Sequence, residues 1–91
     1  MKSNIAFYYN LINDFIDKKI SPISFQNVFS YVFLRDQDLD KSEYKVLHKM
    51  FYAIEDYVPY PEIREEGDLD EEDLLSVAKE VLEELKKISE K

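Results

Sequence analysis

Cysteine and tryptophan are absent from these 91 residues, glycine occurs once and proline three times. Without cysteine there can be no disulfide and no thiolate metal site, and the chain fits a reducing, cytoplasmic compartment. No apolar run approaches the ~18 residues of a membrane-spanning helix. No leader is visible: MKSNIAFYYNLINDF spaces its apolar residues like a helix, and no small-residue cleavage site follows. There is no glycine-rich phosphate loop and no nucleophile motif, so neither an enzyme nor a bound cofactor is expected. Positive charge is also scarce. Twelve Lys and Arg face twenty Asp and Glu, a net −8. Such a balance argues against direct contact with nucleic acid or an anionic membrane and favours a basic partner.

What is present builds a core. Hydrophobic residues make up 45% of the chain and aromatics 14%, where a disordered acidic protein would be poor in aromatics. The length suits one domain, residues 1–91, monomeric when free. Little glycine or proline means little punctuation, which suits helices. The periodicity predicts an all-α, antiparallel four-helix bundle.

The first helix is expected from about Asn4 to Lys19, with Ile5, Tyr8, Tyr9, Ile12, Phe15 and Ile16 on one face. Ser21 and Pro22 read as the N-cap and first position of the second. Phe25, Val28, Phe29 and Val32 should face inward there, with Tyr31, Phe33 and Leu34 making its end apolar nearly all round. Asp40 and Glu43 form a capping box for the third helix, which runs to about Tyr57. Its stripe is Tyr44, Leu47, Phe51 and Ile54, widened by Val46, Met50, Ala53 and Tyr57. A connection of about residues 58–69 leads to a fourth helix over Glu71 to Ile88, capped by Asp70.

Three candidate sites carry little chemistry. DQDLDKSEYKVL (36–47) starts like a calcium loop but has Lys41 where glycine is needed and Leu47 where a bidentate glutamate should sit. No metal is expected there, and a polar connection ending in a helix cap explains the run. His48, the single histidine, has no evident nucleophile or co-ligand and reads as a hydrogen-bonded residue bordering the core. Tyr52 projects from the polar face of the third helix, while Tyr57 and Tyr60 adjoin the acidic connection. Tyrosine suits interfaces, and partial burial under the connection is the alternative.

The strongest signal is YPEIREEGDLDEED (60–73). It holds eight carboxylates against Arg64, a net −7, leaving −1 for the other 77 residues. Helix-start chemistry accounts for Asp70, Glu71, Glu72 and Asp73, which the helix dipole favours. It does not account for Glu62, Glu65, Glu66 and Asp68. Nor does it account for Glu55 and Asp56, which lie in the last turn of the third helix, where the dipole disfavours anions. These residues, with Tyr57 and Tyr60 as anchors, are the candidate partner-binding site.

The order of motifs resembles the bacterial self-protective colicin-like immunity family, which includes the immunity protein of colicin D. FIDKKISPISFQNVF (15–29) is similar to the family's first-helix end, its KIS turn and its Phe-bearing second helix. DYVPYPEIREEGDLDEEDLLSVAKEVLEEL (56–85) resembles its proline-spaced acidic connection and Leu-rich last helix. The 36–43 connection departs from the pattern and could hold a second contact set through Asp36, Asp38 and Asp40. The resemblance implies a helical, cytosolic inhibitor of a toxin's nuclease domain, of the colicin D-like or contact-dependent-inhibition tRNase kind. It implies contact through Asp56, Tyr57, Glu62, Glu65, Glu66, Asp68, Asp70 and Glu71.

Two other functions fit the residues. One is a helical adaptor docking through Phe7 and Leu11, or through Tyr31, Phe33 and Leu34. The other is an acidic mimic of nucleic acid acting on another basic protein.

Overall fold

A computed structural model describes residues 5–89. Its four helices are α1 (Ile5–Ile16), α2 (Pro22–Arg35), α3 (Lys41–Asp56) and α4 (Glu71–Ser89). They form the expected antiparallel bundle. Each helix packs against its chain neighbours, and α4 closes the bundle against α1.

Asn4, the expected start of α1, lies outside the described residues. Its end comes three residues earlier than Lys19. Lys18 turns left-handed, with φ 62. Its amide donates to the Phe15 carbonyl at 3.0 Å, and the Lys19 amide donates to the Asp14 carbonyl at 2.8 Å. This pair of bonds is a Schellman cap, built on lysine where glycine is usual. Periodicity cannot reveal that stop, because no glycine marks it.

α2 starts as the sequence requires. Ser21 Oγ accepts from the Ser24 amide at 3.1 Å, and Pro22 takes the first position, where no amide is needed. Phe25, Phe29 and Phe33, spaced by four, are its buried face. Val28, expected inside, is exposed. The three phenyl rings are the larger apolar surface, and burying them turns Val28 outward, while Val32 stays half-buried against the core. Phe33 thus belongs to the core, not to an apolar contact face, whereas Tyr31 and Leu34 stay exposed.

The phenyl row joins the helices. Phe25 stacks on Phe15 of α1 at 4.4 Å between centroids, and Phe29 meets Tyr8 at 5.6 Å. Tyr8 is fully buried, and its hydroxyl donates to Asp36 Oδ2 at 2.8 Å. Burial first, then this hydrogen bond, pushes the phenol's ionisation far up. Asp36 also accepts from the Asp38 amide at 2.9 Å. Asp36 therefore fastens α1 to the link after α2.

The capping box of α3 forms in both directions. Asp40 Oδ1 accepts from the Glu43 amide at 2.8 Å, and Glu43 Oε1 accepts from the Asp40 amide at 3.0 Å. The DQDLD run thus has internal work at Asp36 and Asp40. The buried face of α3 is Val46, Leu47, Met50, Ala53 and Ile54. Tyr44, expected in the stripe, is 49% exposed, and Phe51 is half-buried. Lying between α2 and α4, α3 must bury two adjoining sides, so its core face centres on Met50.

α4 buries Leu74, Ala78, Val81, Leu82 and Leu85 against α1 and α3. Lys49 of α3 pairs with Glu84 of α4 at 2.8 Å. Both are at the surface, where such a pair contributes little. No helix among the described residues is long and apolar enough to cross a membrane.

Candidate functional site

Residues 57–70 link α3 to α4, and the chain holds this link in four places. The first is a backbone clasp. The Leu69 amide donates to the Asp56 carbonyl at 2.8 Å, and the Val58 amide donates to the Leu69 carbonyl at 3.0 Å. Tyr57 and Leu69 thereby form an isolated parallel bridge. It satisfies a carbonyl at the end of α3 that the helix itself leaves open.

The second is Arg64. Its Nε and Nη2 both donate to the Val58 carbonyl, at 3.0 and 2.8 Å. The only cation in the acidic segment is therefore engaged with backbone. Between these points Pro61–Ile63 makes one 3₁₀ turn, with proline at its start where a missing amide costs nothing.

The third is a tight turn over residues 65–68. The Asp68 amide donates to the Glu65 carbonyl at 3.0 Å, and the Glu65 amide donates to Asp68 Oδ2 at 2.8 Å. Gly67 sits third in this turn with φ 94, where type II turns require positive φ. This corrects one sequence expectation. Asp68 has a structural task, closing the turn, and does not stand with Glu62, Glu65 and Glu66 as acid without local cause.

The fourth is the start of α4. Asp70 Oδ1 accepts from the Asp73 amide at 2.9 Å, and Asp73 Oδ2 accepts from the Asp70 amide at 3.2 Å. This is a capping box with aspartate in both places. The Asp73 amide, chiefly, holds the Asp70 carboxyl below its ordinary range.

The surface left by these contacts is acidic. Glu55, Asp56, Glu62, Glu65, Glu66 and Glu71 are exposed, and Asp68 and Asp70 half-exposed. Among the described residues, the ion pairs are Lys49–Glu84 and Lys86–Glu83, so none of these eight carboxylates is in a contact ion pair, and the Arg64 charge acts on Asp70 only from a distance. The clasp brings the chain at Asp56 back beside Leu69. Glu55 and Asp56 therefore adjoin the start of α4, with Asp70 and Glu71.

The two tyrosines part company. Tyr60 is 55% exposed, but Tyr57 is only 7% exposed and packs in the core beneath the link. Burial, then the nearby charge of Glu71, raises the phenol's ionisation. Tyr57 supports the site from below. The sequence did mark it as widening the core stripe.

The clasp, the Arg64 clamp and the ring cluster of α3 escape sequence reading. Arg64 amid eight acids looks like a counter-charge, and nothing in its neighbours signals a carbonyl partner. His48, expected to border the core with a hydrogen bond, has rings as its contacts among the described residues. Tyr52 lies at 4.2 Å, Tyr44 at 5.3 Å, and Phe33 and Phe51 at 6.2 Å each. The four-residue spacing of Tyr44, His48 and Tyr52 was the available signal. No group of side chains suited to a metal occurs among the described residues.

The chain belongs to the bacterial self-protective colicin-like immunity family, whose model matches residues 3–85. Membership makes it an immunity protein against a bacteriocin, in a family that is generally non-enzymatic. No curated protein matches it significantly.

Proposed function

We propose that this immunity protein blocks a nuclease toxin by setting its α3–α4 link into the toxin's substrate groove. The observation carrying this reading is the set of carboxylates that the described residues leave without a contact ion pair, on a link fastened at four places. A nuclease groove is lined with Lys and Arg because its substrate is a polyanion. Carboxylates in fixed positions match such a groove and keep RNA out by competition. Fixing them beforehand lowers the ordering cost of binding.

Glu55, Asp56, Glu62, Glu65, Glu66 and Glu71 make the contact surface, with Tyr60 as the exposed aromatic anchor. Asp68, Asp70 and Tyr57 hold the surface in shape. The target class is the one the family resemblance implies, a tRNA-cleaving domain of the colicin D-like or contact-dependent-inhibition kind, met in the cytoplasm by a monomer. Complementary fields speed such encounters, with association reaching about 10⁸–10⁹ M⁻¹s⁻¹ at low salt.

The test mixes the protein with the nuclease domain encoded beside it and follows tRNA cleavage. Stoichiometric loss of cleavage is expected. Undiminished cleavage, with no complex by gel filtration, would refute the reading.

A further inference from the structure

The outer face of α3 carries rings that neither the core nor the acidic link uses. Tyr44, His48, Tyr52 and Asp56 stand four residues apart and so form one row along the helix. Tyr44 stacks on His48 at 5.3 Å, and His48 meets Tyr52 edge-on at 4.2 Å. Below them Phe33 touches Tyr44 at 5.3 Å, and Phe51 touches Phe33 at 5.2 Å. The row rests on the core yet faces water, with Tyr52 59% exposed.

Rings held against one another lose little freedom on binding, and tyrosine keeps a polar handle. Aromatic anchors at the middle of an interface supply most of its affinity, while charged rims set encounter rate. The row ends in Asp56, beside Glu55, so it runs unbroken into the acidic surface.

The charges around the row are mixed at its beginning, where Asp40 and Glu43 cap the helix beside two lysines, and acidic at its end. Lys41 and Lys45 are exposed near its beginning, Glu55 and Asp56 at its end. Lys41 opens α3, where the dipole favours anions, and the acids close it, where the dipole favours cations. Asp40 and Glu43 meet that preference at the start of the helix, so Lys41 and the two closing acids are the residues that run against it.

We infer that the Tyr44–His48–Tyr52 row is the affinity-bearing centre of the toxin interface, with the acids as its steering edge. This rests on the proposed function and extends it. The occupant is the same toxin domain, docked in one register. Its cations lie over Glu55 and Asp56, an apolar ledge covers the three rings, and carboxylates face Lys41 and Lys45.

Binding kinetics on the immobilised nuclease domain encoded beside this chain test the inference. Tyr44→Ala and Tyr52→Ala should each speed dissociation by roughly tenfold or more. Association and its salt dependence should stay as in the wild type. Tyr52→Phe keeps the ring and should dissociate within about threefold of wild type. Unchanged melting temperatures would show that the alanine variants fold.

The doubly substituted Lys41→Glu, Lys45→Glu chain makes the register visible. It is more acidic, so a uniformly basic partner would bind it faster. The proposed register predicts weaker binding.

Wild-type dissociation of both alanine variants, with acid reversals still slowing association, would overturn the row and leave the proposed function standing. A wild-type chain that fails to bind the toxin domain removes both. A free protein that sediments as a dimer, and as a monomer once Tyr52→Ala is introduced, would assign the row to self-association and overturn the inference.

Discussion

Lys18 and Gly67 are mirror cases at the scale of single residues. Each holds positive φ, 62 and 94 respectively, but only one is glycine. A left-handed non-glycine residue costs about 1–2 kcal/mol. Lys18→Gly should therefore raise stability by about 1 kcal/mol, less the greater entropy it gives the unfolded chain. Gly67→Ala should lower it by about 1 kcal/mol. A Cβ at Gly67 would meet nothing within 4 Å, so the whole effect there is backbone strain. Urea melts of the two variants measure both. A shift of the same sign in both would contradict the assignment of strain.

Asp70 adds a pH dependence at this scale. Its folded carboxyl titrates below its ordinary value. Stability from the charged cap is therefore present above the unfolded pKa and lost as pH falls through the folded one. Asp70→Asn retains a capping oxygen without the charge. It should melt lower than the wild type at pH 7, and the gap should shrink as pH drops below ~3.9. A gap that stays constant through that range would show that charge contributes nothing to the cap.

Among the elements, the helices were legible and the link was not. Phe25 and Phe29, Leu47 and Ile54, and the Asp40–Glu43 box all announce themselves by spacing, because a helix repeats its contacts every three or four residues. The exposure of Val28 and Tyr44 followed from which neighbours each helix must meet, which spacing does not encode. The link depends on contacts that obey no period. Leu69 reaches back to Asp56, and Arg64 reaches back to Val58. Acidity was legible there, and the means of fixing it was not.

Arg64 separates two views of that link. If it acted only as a positive charge, Arg64→Gln would make the surface more acidic and bind a basic partner more tightly. As the clamp on Val58 it positions the link, so the substitution should weaken binding, through dissociation faster by roughly three- to tenfold. That range corresponds to losing one hydrogen-bonded constraint of about 1 kcal/mol. Amide exchange at Val58 and Leu69 should quicken in the same variant. Tighter binding with unchanged exchange would favour the charge view.

For the whole molecule, the arrangement of charge matters more than its sum. Of a net −8, −7 falls within residues 60–73, and the fold returns Glu55 and Asp56 to the same end of the bundle. Concentrated like charge opposes the compact state. The aromatic core running from Phe15 through Phe29 to Phe33 supplies the burial that offsets it. Truncating Phe29 to Ala should cost about 3–5 kcal/mol, a large part of the ~5–15 kcal/mol typical of a domain. Glu55, Asp56, Glu62, Glu65 and Glu66, which have no such structural task as Asp68, Asp70 and Asp73 have, are thus carried by the core, in keeping with the proposed partner surface.

The most direct measurement of the proposed function is association with the proposed target, a toxin's nuclease domain, as a function of ionic strength. Wild type should be compared with the charge-reversed Glu62→Lys, Glu65→Lys, Glu66→Lys chain, which leaves the turn-closing Asp68 untouched. Steering by the link predicts that reversal slows association strongly at low salt, and that the two rates converge as the Debye length falls to about 3 Å at 1 M. The same association rate for both chains at low salt, or a difference that salt does not alter, would contradict it.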